Sequence, residues 1–493
     1  MRARNMAKRL GIWILGGLAV LTAAFLVVWY SIQPPRLAVQ AKSDLLISNV
    51  TIWNPGDAPM SNQTLVIADG IIADIRPTHE GDPAPLCAGC YAMPGLIDAH
   101  IHTPPRLAVG NQELFALLFL RHGVTSVRDM GQLDDSLPQL QQRVAAGDLL
   151  GPRIYRCGRI LDGPPVSVPG GVLVSDAEQG REAVQRQARD GATCIKVYGN
   201  LSRDAFQGVS AEAKRLGLPL TGHTPHAVSL NEITDFEIQH FTGIPYLERP
   251  APAGWAYRSR DLIDMTPQDI ADVLKTMKEN SLSFLPTNAN NRSRLTVSDP
   301  VRFPPSPGFA NVPEFWETAW PSIVSAPETE TEIETEIEAM PVALRFMREA
   351  HTAGIDVLVG SDVIMPYVIP GESMHQELAI LAEALGSAEL ALAAATATNG
   401  RHIDQGRIGQ LRVGAFADLL IFTNDPRGDV QNIKDWSYIM VDGRLYGRDE
   451  IDAGVEQYRN HFRNGLYPAV MNTAYGFLAS DYEDSEIAKS AGE

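Results

Sequence analysis

The hydrophobic rhythm of the chain changes along its length. Residues 11–30, GIWILGGLAVLTAAFLVVWY, carry no charge over twenty positions. About 20 apolar residues span a bilayer as a helix. Arg2, Arg4, Lys8 and Arg9 precede the run, which sets the N-terminus in the cytoplasm and the body of the chain across the membrane. A cleaved signal peptide is the alternative. Its apolar core is shorter, roughly 7–15 residues, and the VQA ending at Ala41 lies far beyond the run. The expectation is an uncleaved anchor with the body on the extracytoplasmic side, periplasmic in a Gram-negative host; export after cleavage is the alternative.

SIQPPRLAVQAKS (31–43) reads as a linker. DLLISNVTIWNPGD and QTLVIADGIIADIRP then alternate apolar and polar residues between turn signals, which predicts strands of a small β-domain. From about residue 91 the rhythm becomes strand, helix, strand, helix. Eight apolar runs are strand candidates: MPGLIDAHIH, GVTSVRDMG, PRIYRCGRIL, TCIKVYG, LPLTGHT, FEIQHFTG, LSFLPTNA and IDVLVGSD. Amphipathic stretches such as GREAVQRQARDGA lie between several of them. Strands covered on both faces read as continuous apolar runs, and eight of them with intervening helices predict a (β/α)8 TIM barrel. After residue 402 the alternating pattern returns in RIGQLRVGAFADLLIFTND and WSYIMVDGRLYG. The expected fold is therefore α/β: a TIM barrel, a small β-sandwich built from segments before and after it, and an N-terminal transmembrane helix. The expected divisions are 1–35 for anchor (or signal) and linker, 36–92 and 403–450 for the sandwich, 93–402 for the barrel and 451–493 for a C-terminal tail without clear period.

The connection over 290–350 is far longer than such loops usually are. It holds Phe303, Phe309, Phe315, Trp316 and Trp320, a plausible lid or pocket wall on the catalytic face. It also holds ETETEIETEIEA (328–339), read as a solvated, self-repelling segment.

Composition adds constraints. With 45% hydrophobic and 20% charged residues over 493 positions, the chain is globular and large enough for several domains. A formal net charge of −18 argues against a nucleic-acid partner, which needs a basic face. CAGC (87–90) admits a redox pair, half a zinc site or a disulfide; no second CxxC completes a four-cysteine site, so a structural disulfide or two free thiols is favoured. Cys157 and Cys194, in apolar strands, read as buried packing residues.

Active sites of these barrels lie at the C-terminal ends of the strands. The first strand offers His100 and His102, which share a face because side chains alternate. The fourth offers Lys196, the fifth His223, the sixth His240 and the eighth Asp362. Four imidazoles, an amine and a carboxylate suit borderline divalent metals, zinc foremost. A lysine beside cations is neutral once burial lowers its pKa. A neutral amine can take up carbon dioxide as a carbamate, an anion able to bridge two metals. Arg128 and Asp129 read as a structural pair, His122 as structural, and His79, His351, His402 and His461 as surface or packing residues.

PGLIDAHIH, GVTSVRDMG, CIKVYG, GHTPHAVSL, EIQHFTG, VGSD, GESMHQEL and GAFADLLIF together resemble the amidohydrolase superfamily, over roughly residues 44–446. The nearest branch is similar to imidazolonepropionase-like, Xaa-Pro-dipeptidase-type hydrolases. The resemblance implies two divalent ions. His100 and His102 would hold the more buried ion, carboxylated Lys196 would bridge, and His223 and His240 would hold the second. Asp362 would ligate the buried ion and act as general base, then general acid, for a metal-bound hydroxide. His226 in GHTPHAVSL is a rival to His223. Tyr198 and His375 are expected at the substrate, each with a packing or helix-start role as the alternative.

The expected activity is hydrolysis of a carbon–nitrogen bond in a small substrate such as a dipeptide or N-acyl amino acid. A cyclic amide or lactone hydrolase is the nearest alternative. A catalytically silent binding protein on the same fold is the alternative of another class, against which the complete ligand set argues. The expected partners are that substrate and the membrane, with room for a homo-oligomer.

Overall fold

The computed structural model of the protein describes residues 2–87, 89–249, 259–320 and 327–477. A helix runs over Arg2–Ile32, and its segment Ile12–Ile32 is long and apolar enough to cross a membrane. The linker that follows is tied down along its length. Ile32 is buried, the Tyr458 hydroxyl donates to the Pro35 carbonyl at 2.9 Å, and Leu37 packs on the core. Arg444 Nε donates to the Gln40 carbonyl at 2.9 Å, and Lys42 pairs with Asp442 at 2.8 Å.

All eight expected strand regions make parallel pairings. Leu96–Ile101, Val124–Asp129 and Arg153–Arg156 pair in chain order. Leu161–Asp162 continues the third region and pairs with Ile195–Val197, followed by Leu220–Gly222, Phe236–Gln239 and Ser283–Leu285. The eighth region makes bridges rather than a regular strand: Val357 lies beside Phe284 and Val363 beside Ile101, so the pairing returns to the first strand. The third region breaks at Gly158, whose φ of +74° favours glycine. The first two strands are buried at every position, as runs covered on both faces must be. Amphipathic helices separate the strands. Ala177–Arg189, Arg203–Leu216 and Pro267–Glu279 start on the side chains of Asp176, Ser202 and Thr266, which accept from backbone N–H groups.

The small β-domain departs from a two-layer sandwich. Its strands form one seven-stranded sheet, in which Tyr91–Pro94 pairs parallel with Leu45–Ile52 and antiparallel with Leu419–Phe422. The edge strand Ile71–Pro77 bonds back to the chain before Leu419: Ile72 N–H donates to Ala415 O at 2.9 Å, and Gly414 N–H donates to Ile72 O at 2.9 Å. Folding the sheet over itself removes an exposed edge and brings Ile47, Leu65, Leu419 and Met440 into one core.

Four further expectations change. The acidic run 328–339 is the start of the helix Glu330–Thr352, capped by Thr329. Its stripe Ile333, Glu336, Ala339, Ala343 and Phe346 is buried at helical spacing. Self-repulsion is relieved by Arg260, 2.6 Å from Glu328, and Arg302, 2.7 Å from Glu334. Cys157 and Cys194 are disulfide-bonded rather than separate packing thiols, because the third and fourth strand regions lie side by side; Thr193 N–H donates to Arg156 O at 2.9 Å. Cys87 and Cys90 form a second disulfide. The tail is helical over Arg448–Arg463 and again over 466–477. Arg128 pairs with Glu237 at 2.6 Å, not with Asp129, whose carboxylate instead accepts from Thr103 N–H at 2.7 Å.

The aromatic part of the 290–350 connection is packed rather than loose. Phe315, Trp316 and Trp320 are buried, Trp316 Nε1 donates to Asn111 at 3.0 Å, and Tyr475 of the tail stacks on Phe315 at 4.2 Å.

Candidate metal centre

The strand order brings His100, His240 and Asp362 together, with one ligand atom from each within 4.8 Å of the others. Asp362 Oδ1 lies 3.1 Å from His100 Nε2 and 3.6 Å from His102 Nε2, and its Oδ2 lies 4.0 Å from His240 Nε2. His223 packs beside His240 with ring centroids 5.0 Å apart. It follows Gly222, whose φ is +142° and whose missing Cβ lets the Val197 carbonyl approach. His226 lies on the next loop, its N–H bonded to Gly199 O at 2.8 Å. Lys196 is fully buried; its ammonium donates to Gln239 Oε1 and sits 5.1 Å from the Tyr198 ring. Tyr198 stacks on His223 at 4.0 Å. His375 is tied elsewhere, its Nε2 on the His122 carbonyl at 3.0 Å and its ring 5.6 Å from that of His122.

The hydrogen bonds around the rings fix which nitrogens face the carboxylate. His102 Nδ1 meets the Gly131 carbonyl at 3.1 Å, and a carbonyl only accepts, so Nδ1 carries the proton. His240 Nδ1 meets Thr287 Oγ1, whose own proton goes to the Pro286 carbonyl at 2.8 Å, so this Nδ1 is also the donor. With both Nδ1 atoms engaged in this way, both Nε2 atoms are the ring nitrogens turned toward Asp362, and that of neutral His240 presents a lone pair. Burial holds His100, His223 and His240 well below the usual histidine range, which keeps these rings neutral. Lone pairs facing a carboxylate repel one another unless a cation sits between them, so the donor set fits a metal ion. Burial also lowers Lys196 to about 7, against the opposing pull of Asp362 and Glu237.

Three more residues complete the site. Asp98 accepts from the N–H groups of His100 at 3.2 Å and Ser361 at 2.9 Å, tying the first strand to the eighth. Burial pushes its carboxyl up to about 7. Asn290 Nδ2 donates to Asp362 Oδ2 at 2.6 Å. Gln239 holds Lys196 and donates to Thr221 at 2.9 Å. The acid before the paired histidines was a visible signal for Asp98. Nothing in the pattern marked Asn290, which opens the long connection. His240, Thr287 and Asp362 all have left-handed backbones, φ +56°, +48° and +63°. Such strain in non-glycine residues gathers at functional sites.

The amidohydrolase family model matches residues 91–446. The chain belongs to the amidohydrolase family. Among solved structures, bottromycin amidohydrolase superposes with a TM-score of 0.66 at 23% identity, covering 90% of this chain and 94% of that one. A Xaa-Pro dipeptidase with bound methionine gives 0.58 at 18% identity, covering 82% and 100%. At these identities the likeness concerns fold. Adenine deaminase of Geobacillus kaustophilus (strain HTA426) is 37% identical over 95 residues, 19% of this chain and 16% of that protein. That match spans a small part of the relative's length.

Proposed function

We propose that this amidohydrolase is a binuclear metal-dependent enzyme that hydrolyses a carbon–nitrogen bond in a small substrate, a dipeptide or N-acyl amino acid. We read its strand ring as a (β/α)8 barrel over 93–402. The observation that carries the reading is the convergence of His102 and His240 Nε2 on Asp362, with the Nδ1 of each ring bonded elsewhere. His100, His102 and Asp362 would hold one ion, His223 and His240 the other, and Lys196 as its carbamate would join them. Such ions supply Lewis acidity and make water acidic enough to attack at neutral pH.

The chain's own residues do the rest. Asp362 takes a proton from the attacking water and returns it to the leaving nitrogen. Asn290 holds its Oδ2, which keeps Oδ1 turned toward His100 and His102. Gln239 holds the Lys196 side chain at the cluster. Tyr198, stacked on His223, would border the ion held there and meet the substrate. Two disulfides suit an oxidising, extracytoplasmic location, in accord with an uncleaved anchor over Ile12–Ile32.

The test uses the full chain in detergent, loaded with zinc and bicarbonate. Metal content is measured, and the protein is incubated with pooled dipeptides, N-acyl amino acids, lactones and adenine, with products read by mass spectrometry. About two ions per chain and release of amino acids support the reading. Turnover of only lactones or adenine moves the assignment to those bonds. A metal-free, inactive chain points to a silent binding protein. Lys196→Ala is expected to lose one ion and to lower kcat by more than the roughly 10–100-fold that loss of an outer partner of a metal ligand costs; full activity in this variant would remove the bridging role.

A further inference from the structure

The N-terminal helix and the body meet at a defined place. Trp29 and Tyr30, both exposed, end the apolar span as an interfacial aromatic pair does. Ile32 is already buried, and Pro34 and Phe462 both lie against Gly110. Three residues lie between Tyr30 and Pro34, so the four steps span at most about 15 Å of chain. Gly110 is therefore held close to the level at which the helix leaves the bilayer.

Gly110 ends the loop that leaves His102, and this loop carries Leu107, 70% exposed. The Tyr467 hydroxyl donates to Val109 O at 2.8 Å, which places the start of the tail helix over 466–477 on the same loop. Leu466, beside Tyr467, is 43% exposed. Arg36 and Arg463 are exposed next to Pro35 and Phe462, so cationic side chains edge this apolar face although the chain as a whole is strongly acidic. An apolar tip with a basic rim, beside the end of a spanning helix, has the chemistry of the lipid interface.

We infer that the face bearing Leu107 and Leu466 rests in the headgroup region of the bilayer that Ile12–Ile32 spans. The docked linker fixes this orientation, and the loop from His102 to Gly110 lies at the membrane surface. The occupant is an anionic phospholipid leaflet, argued from continuity with the span and from the basic rim. The inference rests on the reading of the N-terminal helix as a retained anchor.

The experiment uses the full chain in phosphatidylcholine–phosphatidylglycerol vesicles. All four cysteines are in disulfides, so one added cysteine can be labelled with an environment-sensitive fluorophore. The variants are Leu107→Cys, Leu466→Cys, Leu18→Cys within the span and Lys275→Cys on the helix Pro267–Glu279, each labelled and exposed to lipids bearing nitroxides on headgroup or acyl chain. The expected result is acyl-chain quenching at Leu18, and headgroup quenching at Leu107 and Leu466 several-fold above that at Lys275. Quenching at Leu18 with Leu107 and Leu466 no different from Lys275 overturns the docking surface and leaves the anchor intact. An unquenched Leu18 overturns the anchor, and the docking surface with it.

Discussion

Asp362 is reached by three histidines and one amide, and the amide is the member the sequence hid. Asn290→Ala removes the 2.6 Å donor from Oδ2 and frees the carboxylate to rotate. Loss of such an outer partner costs about 10–100-fold in activity or metal affinity. Steady-state kinetics should show that loss with the thermal midpoint nearly unchanged. Glu377 makes a different prediction. It is buried, accepts from Ala289 N–H and lies near Asn288 Nδ2, and feels the negative charges of Asp98 and Asp362. Burial, first, and these neighbours push its carboxyl up to about 8 from 4.5. A raised acid binds its proton more tightly in the folded state, so its contribution is full below the unfolded value and is lost as pH rises through the folded one. Stability should fall between about pH 5 and 8, and Glu377→Gln should flatten that slope in thermal melts. His100, His102, Lys196, His223, His240 and Asp362 could be nominated from the sequence because each stands at the end of an apolar run, and the fold brings His100, His240 and Asp362 within 4.8 Å of one another. Asn290 and Gln239 were not, because their roles depend on neighbours across the ring. The same limit applied to Arg128, whose partner Glu237 is four strand regions further in chain order.

At the scale of elements, the helix Glu330–Thr352 shows how context overrides a charge pattern. Read alone, the acidic repeat repels itself. In the fold, Glu336 turns inward, paired with Ser259 Oγ and 3.2 Å from Arg260 N–H. Glu336→Ala takes the acceptor away from the buried Ser259 hydroxyl and the Arg260 N–H, which costs about 1–3 kcal/mol. Glu334, an exposed partner of Arg302, should cost under about 1 kcal/mol when replaced by Ala. Chemical denaturation of the two variants tests the ranking, and equal losses would remove the special role of Glu336. The tail helices were invisible for a related reason: their aromatic residues pack on Asn111 and Phe315, far away in sequence.

At the scale of the whole molecule, the ring of strands holds lone pairs against a carboxylate, an arrangement that a bound cation stabilises. A ligand that binds only the folded state at a hundred times its dissociation constant adds about 2.7 kcal/mol. Chelation should therefore lower the thermal midpoint of the full chain, and zinc should restore it; a midpoint indifferent to both would count against the metal centre. Parallel strands whose pairing returns to the first bring His100, His240 and Asp362, far apart in sequence, within one cluster.

Periodicity and strand-end chemistry, read along the chain, determined the α/β class, the long apolar N-terminal helix, the return of a β-domain after the parallel strands and the six ligand candidates. These follow from local spacing, because a strand turns alternate side chains to one face and a span needs only length and apolarity. Tertiary structure alone decided the partners: the Cys157–Cys194 disulfide, the Arg128–Glu237 pair, the sheet folded on its own edge, the docked linker and the Asn290 amide on Asp362. Each joins residues that local periods do not relate, and only packing of the whole chain brings them within bonding distance.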